Sequence, residues 1–291
     1  MNGRPTIDRR DLDVAAGGQS VHCDGIVHIY PVDGADVVAL RGVDLDIAAG
    51  ERIAILGPSG CGKSTLLNLL AGLLKPSAGA LWIGRHDIVK LPERELLRLR
   101  ASTVGIVLQG AGRNLMPYAT AAQNIAFAQR AVPSAQRRGL HSPHDLLDLL
   151  GLSTVAGQRL GSLSGGEQQR VAVAVAVANQ PGVLLADEPT SQLDRDSRTA
   201  VLDLLDTVNT ELNTTVVVVT HDPDVGARMG RTISMRNGRV GAEGLLGEQF
   251  AVIGKDGSLH LPDALTNTWP PGSLVRVEPD GDALRITRRQ P

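Results

Sequence analysis

Apolar side chains along this chain fall into short blocks separated by glycine-rich or charged segments. Glu51–Leu56, Val104–Leu108, Val183–Ala186 and Val216–Thr220 are nearly continuous apolar runs, the pattern of strands buried on both faces of a sheet. Leu66–Leu74 is leucine-rich at a length that suits a helix, and Val171–Ala178 continues a second helix. Ile26–Ile47 reads as an antiparallel strand region, closed by a turn at Ala48–Glu51. Strands that alternate with helices predict an α/β sheet, which collects ligands outside the carboxyl ends of its strands. Near the C terminus the pattern changes. After a linker at Gly241–Gly247, Phe250–Leu261 alternates around Asp256-Gly257, and Leu274–Glu278 pairs with Ala283–Thr287 across Pro279–Asp282, which predicts a small β module.

The segments between these blocks carry the chemistry. Gly57-Pro58-Ser59-Gly60-Cys61-Gly62-Lys63-Ser64-Thr65 satisfies G-x-x-x-x-G-K-[ST] between a strand and a helix. Glycines at this spacing let backbone N–H groups curl around phosphate oxygens at a helix N-terminus. Lys63 would reach the β- and γ-phosphates, Ser64 offers a hydroxyl to Mg²⁺, and Thr65 adds a second phosphate contact. The run Val183–Thr190 delivers two adjacent carboxylates at a strand end. Asp187 would hold Mg²⁺, and Glu188 would orient or deprotonate a water that attacks the γ-phosphate. Together these two segments predict ATP binding and hydrolysis.

Four further segments complete a familiar order: Gln109 after Val104–Leu108, the run Leu163-Ser164-Gly165-Gly166-Glu167-Gln168-Gln169-Arg170, Ser191–Asp194, and His221 after Val216–Thr220. With the phosphate loop and the Asp187-Glu188 pair, they resemble the nucleotide-binding subunits of ABC transporters over about residues 24–242. The wording Ala39–Ile47 is most similar to the lipoprotein-release and macrolide-export branch. The resemblance implies a P-loop NTPase core of the ABC-ATPase type: a mixed sheet with flanking helices, an antiparallel β subdomain and an α-helical subdomain. The implied organisation is a flexible N-terminal tail (1–21), a nucleotide-binding domain (22–242, with the helical subdomain at about 110–178) and the small β module (243–291).

Roles for the remaining residues follow from the resemblance. Tyr30 stands where the family stacks an aromatic ring on adenine; a tyrosine at the rim of an edge strand is the alternative reading. Gln109 resembles the residue that senses Mg²⁺ and the attacking water, and His221 the switch residue at the γ-phosphate. Ser164, Gly165, Gly166 and Glu167 open a helix, an anion-binding end. In the family that end covers the phosphate loop of a second subunit, so a homodimer would trap two ATP, with Asp194 at the interface. The loop Gly110–Thr120 lies where the family grips a coupling helix of a membrane permease, with Met116 and Tyr118 as adaptable contacts. Packing of the subdomain core is the alternative for these two side chains. The implied location is cytoplasmic, peripheral on the inner face of the membrane through that permease.

Composition agrees and narrows the alternatives. The longest apolar run, Val171–Ala178, is far short of the roughly 20 residues that span a bilayer. The N-terminal segment, with Arg4, Asp8, Arg9, Arg10 and Asp11, lacks the apolar region of a secretory signal. Two cysteines, Cys23 and Cys61, form no disulfide framework, and a bridge at Cys61 would obstruct the phosphate loop. Net charge is −2, and from Leu245 onward acidic residues match basic ones, so nucleic acid is not an expected partner. The C-terminal wording weakly resembles the swapped-hairpin β-barrels of bacterial regulators, which implies a module that pairs with its copy on a second subunit. A soluble ABC-type ATPase or an ATP-dependent regulator that works without a permease is the second functional class.

Overall fold

The computed structural model describes residues 17–32, 34–245, 248–253, 257, 259, 273–281 and 283–288. The chain begins in an antiparallel pair, β1 (Val21–Val32) and β2 (Ala35–Ile47), followed by β3 (Arg52–Leu56) and α1 (Lys63–Leu70). Strands β4 (Ala78–Ile83) and β5 (His86–Asp87) return to the first layer, which has the order β2-β1-β4-β5. Helix α2 (Glu93–Ser102) leads into β6 (Val104–Val107). Four helices follow: α3 (Ala121–Ala128), α4 (Ser134–Arg137), α5 (Pro143–Leu149) and α6 (Gly165–Ala176). The remainder comprises β7 (Val183–Asp187), α7 (Arg195–Leu212), β8 (Thr215–Thr220), α8 (Pro223–Arg228), β9 (Arg231–Arg236), β10 (Arg239–Leu245), β11 (Glu248–Ala251), β12 (Val275–Asp280) and β13 (Ala283–Arg288).

The second layer is a seven-stranded sheet of order β11-β10-β9-β3-β8-β7-β6. From β9 to β6 its pairs are parallel, whereas β10 and β11 are antiparallel additions. The apolar runs of β3, β7 and β8 are continuous because both sheet faces are covered. Val216, Val218, Leu184, Ala186 and Ala54 face one core with α3, α5, α6 and α7. Val217, Val219, Val183, Leu185, Ile53 and Ile55 face the other, with α1, α2 and the first sheet.

Several boundaries differ from the sequence reading. The tail ends by Gly17: Gln19 N–H donates to the Gly182 carbonyl at 2.9 Å, and Ser20 and Val21 are buried. Residues 1–16 of the expected tail lie outside the described residues. The leucine-rich helix stops at Leu70 because Gly72 takes φ 64° and the N–H groups of Leu73 and Leu74 turn back onto the Asn68 carbonyl. The expected linker at 241–247 is strand through Leu245. There β10 pairs with β9 and β11, and Glu243 accepts from Arg231 Nε at 2.6 Å, so backbone pairing on both sides overrides two glycines. Accordingly β11 belongs to the catalytic sheet, and the boundary at 242/243 does not separate two units.

The C-terminal hairpin joins the expected segments, but β12 runs on through Pro279 and Asp280, so the expected four-residue connection at 279–282 shortens to two residues and the register changes with it. Asp280 opposes Ala283, Glu278 opposes Arg285 and Val277 opposes Ile286, with Gly281 at φ 61° in the two-residue turn. It forms a sheet of its own. Part of the expected hairpin around Asp256-Gly257 lies outside the described residues, although Ile253 and Leu259 bridge across it.

Removal of residues 254–291 is expected to leave the main thermal unfolding midpoint within about 2 °C of the full chain, because the hairpin shares no sheet with the core. Removal from residue 245 onward strips β11 from β10 and is expected to lower the midpoint by at least about 4 °C. Circular dichroism melts of both truncations check the boundary.

Candidate functional site

Parallel pairing brings four chain segments to one edge. Leu56 lies opposite Thr220, Asp187 opposite Val219 and Val107 opposite Ala186. The loops that leave β3, β6, β7 and β8 therefore emerge side by side, and they carry the phosphate loop, Gln109, Glu188 and His221. The sequence expectation of one ligand edge is met by register alone.

The phosphate loop is shaped by close backbone approaches. A Cβ on Gly57 would lie 2.4 Å from the Met235 carbonyl oxygen, and one on Gly62 would lie 2.7 Å from the Ala39 oxygen. Gly62 also takes φ 103° and stands at the N-cap of α1, so no side chain caps the helix. The uncapped first-turn N–H groups are available to an anion. Pro58, Ser59 and Gly60 are exposed, whereas the Cys61 side chain turns into the core and lends only its backbone to the loop. Lys63 is buried, and its Nζ donates to the carbonyls of Gly57 at 2.7 Å and Pro58 at 3.0 Å.

The two acids occupy different surroundings. Burial pushes the Asp187 carboxyl above the usual carboxylate range; the Glu188 charge adds to this, while a hydrogen bond from Ser64 and the Lys63 ammonium oppose it. Glu188 takes φ 47°, a strained conformation for a side chain with a Cβ. Its carboxylate accepts from the Thr220 hydroxyl at 2.9 Å and from the His221 N–H at 3.1 Å, and it meets His221 Nδ1 at 2.7 Å. The catalytic-carboxylate and switch candidates thus hold each other.

The other candidates are arranged around this centre. The Tyr30 hydroxyl lies 3.3 Å from Thr65 Oγ1, and its ring meets His28 edge-on at 4.6 Å. Strand β1 is interior to its sheet, although Tyr30 itself pairs only with Val37 of β2. Gln109 is exposed at the end of β6. Asn114 pins the turn behind it, accepting from Leu108 N–H at 2.8 Å and donating to the carbonyls of Leu108 and Gly110. Tyr118 is 76% exposed and so does not pack the subdomain core; Met116 is half-buried.

The Ser164 run forms a closed cap on α6: Ser164 Oγ donates to Glu167 Oε2 at 2.7 Å and accepts from Glu167 N–H at 3.3 Å. Ser164 and Gly165 are exposed. Gly166 is not, because a Cβ there would lie 2.4 Å from Ser197 Oγ at the start of α7. Asp194 is exposed and caps α7 through Ser197. Among the described residues no hydrogen bond connects 164–167 with 57–65.

Residues 40–191 match the ABC transporter family. The lipoprotein-releasing system ATP-binding protein LolD of Legionella pneumophila (strain Paris) is 42% identical over 206 residues, which covers 69% of this chain and 88% of that protein. The chain belongs to the ABC transporter family. The macrolide export ATP-binding/permease protein MacB 1/2 of Paracoccus denitrificans is 40% identical over 229 residues, covering 78% of this chain but 34% of that protein. Among solved structures, the dimeric post-hydrolysis state of the ATP-binding cassette MJ0796 bound to ADP and Pi gives a TM-score of 0.68 at 36% identity. It covers 78% of this chain and 98% of that one. The protein is the ATP-binding and ATP-hydrolysing subunit of an ABC transporter, and the expected ABC ATPase fold is the observed one. Nothing in these likenesses favours an ATPase that works without a permease. No helix among the described residues of this ABC subunit is long and apolar enough to cross a membrane.

Sequence reasoning missed Thr220, Asn114 and the Ser64–Asp187 contact, each of which depends on strand register or loop closure. A raised Asp187 value means the folded chain takes up a proton more readily than the unfolded one. Stability therefore falls as pH rises from the ordinary carboxylate value through the raised one, and the penalty is constant above it. Asp187→Asn is expected to raise the unfolding midpoint of the nucleotide-free protein at pH 7 by about 1–3 °C. The difference from wild type should vanish toward pH 3, as melts across the pH range would show.

Proposed function

We propose that two copies of this chain close head to tail around two ATP molecules and drive a membrane permease that exports or extracts lipid-like or peptide cargo, or transmits force across the membrane. One observation carries the reading. Lys63, Ser64, Asp187, Glu188 and His221 converge on one sheet edge, whereas Ser164, Gly165 and Asp194 stand exposed without a bond to their own phosphate loop. An exposed Ser164–Gly165 helix end that makes no bond to its own phosphate loop suits the phosphates of a second subunit. The dimeric MJ0796 cassette supports that arrangement, and the names of LolD and MacB support the cargo class and the permease. MacB joins ATP-binding and permease functions in one protein, and this chain matches only about a third of it. The proposed location is cytoplasmic, on the inner membrane face through that permease, with the exposed Tyr118 in the Gly110–Thr120 loop as a contact.

Within the site, Lys63 and the α1 N–H groups bind the β- and γ-phosphates, and Thr65 adds a hydroxyl. The Ser64 hydroxyl beside the Asp187 carboxyl, with the Gln109 amide oxygen on the neighbouring loop, forms a hard oxygen donor set that fits Mg²⁺. When bound there, the ion neutralises charge that develops on the transferred phosphoryl group. Glu188 orients the attacking water and accepts its proton, which requires that His221 exchange Glu188 for the γ-phosphate. Tyr30 stacks on the base once its hydroxyl leaves Thr65. The C-terminal hairpin exposes Val275, Val277 and Leu284 on one face, which suits contact with the same hairpin of the second copy.

Glu188→Gln is expected to lower ATP hydrolysis by at least about 100-fold while ATP binding persists, because it removes only the proton acceptor. Hydrolysis at the wild-type rate would reject the assignment. The same variant, affinity-tagged and solubilised with ATP and Mg²⁺ from native membranes, should retain a stoichiometric multi-span protein; recovery without one would reject the permease. Removal of residues 254–291 should lower the dimer fraction measured without nucleotide, and an unchanged fraction would reject the hairpin contact.

A further inference from the structure

Arg198 closes the first turn of α7, outside the set of residues at the phosphate edge, yet it joins two parts of the site. Helix α7 starts from the turn that carries Asp194. The Asp194 carboxylate accepts from Ser197 N–H at 2.9 Å and Ser197 Oγ at 2.9 Å, and its carbonyl accepts from Arg198 N–H at 2.9 Å. From this fixed start Arg198 Nη1 donates to Asp222 Oδ2 at 2.5 Å. Asp222 follows His221 directly, and its N–H donates to the Thr220 hydroxyl at 3.1 Å, the same hydroxyl that donates to Glu188. An unbroken series of bonds therefore runs from the Asp194 turn through Arg198, Asp222 and Thr220 to the Glu188 carboxylate.

Two further features lie next to this series. Gly166 packs directly against Ser197, so α6 and the start of α7 touch with no room for a side chain between them. Between Glu188 and α7 the backbone passes through left-handed conformations at Glu188 (φ 47°) and Gln192 (φ 64°), neither of them glycine. Such a strained turn holds only while its ends are fixed, and Arg198 fixes one of them through a charge-assisted bond.

We propose that Arg198 is a positioning residue that couples the Asp194 turn to the Glu188–His221 pair, so that a second subunit closing on that turn changes the hold on Glu188. The inference rests on the dimeric ATPase reading given above. Asp222 also caps α8, accepting from Asp224 N–H at 3.0 Å, so a purely structural role for the ion pair is the competing account.

Steady-state ATP hydrolysis of the full chain separates the two, with Arg198→Ala, Arg198→Lys and Asp222→Asn compared over a range of ATP concentrations. Asn still caps a helix but weakens the ion pair. Arg198→Ala and Asp222→Asn are each expected to lower kcat about tenfold with KM for ATP within about twofold, and the double variant should lose no more than either alone. Arg198→Lys should recover part of the rate, and unfolding midpoints should stay close to wild type. Normal kcat in Arg198→Ala, multiplying losses in the double variant, or a rate loss that tracks the unfolding midpoint would each overturn the proposal. Glu188→Gln serves as the control. Wild-type hydrolysis that does not depend on Glu188 would overturn the Glu188 assignment on which the coupling rests, whereas Glu188-dependent hydrolysis with a normal Arg198→Ala rate would overturn the coupling alone.

Discussion

Parallel pairing of β3 with β8, and of β8 with β7, is the constraint on which every other feature rests. Each strand contributes apolar residues to two cores at once, so a slip by one residue would turn every side chain to the wrong face. That register fixes Leu56 beside Thr220 and Asp187 beside Val219, and with them the relative height of phosphate loop, acids and switch histidine. Helices α1 and α7 leave that edge with their N-termini pointing back at it, which adds favourable field for anions.

Chemical division of labour between Asp187 and Glu188 follows from one peptide unit of difference. Asp187 ends a strand and is partly withdrawn from water beside Ser64 and Lys63. Glu188 begins the turn, adopts a left-handed backbone, and points its carboxylate toward the neighbouring strand end, where Thr220 and His221 hold it. The two carboxylates thus sit in different surroundings, which suits the separate roles proposed for them, although their side chains differ by a single methylene.

Much of this was legible in the residues. Phosphate-loop glycines are readable because their spacing encodes backbone approach, and the Asp187-Glu188 pair because it ends an apolar strand, whereas the role expected of His221 came from the family resemblance and not from its place after a valine run. Contacts across strands were not. Thr220 looks like the last residue of a valine run, Arg198 like one more polar position on an amphipathic helix, and Gly166 like part of a flexible turn rather than a packing surface. Their roles depend on which atoms register and helix docking bring together. The extent of β10 was misjudged for a related reason: Gly241 and Gly244 weaken local strand preference, and only the partners β9, β11 and Arg231 decide the outcome.

Gly238 illustrates how far the site reaches. It closes the turn between β9 and β10, its N–H donates to the Cys61 carbonyl at 3.0 Å, its own carbonyl accepts from Arg41 N–H at 2.8 Å, and a Cβ there would lie 2.5 Å from the Ala39 oxygen. Gly62 presses on that same oxygen from the phosphate loop. Two glycines far apart in the chain are thus wedged against one peptide group of β2, which makes the nucleotide cradle a keystone joint: the outer β ribbon, which supplies none of the loop itself, is one of the stones that keep it closed.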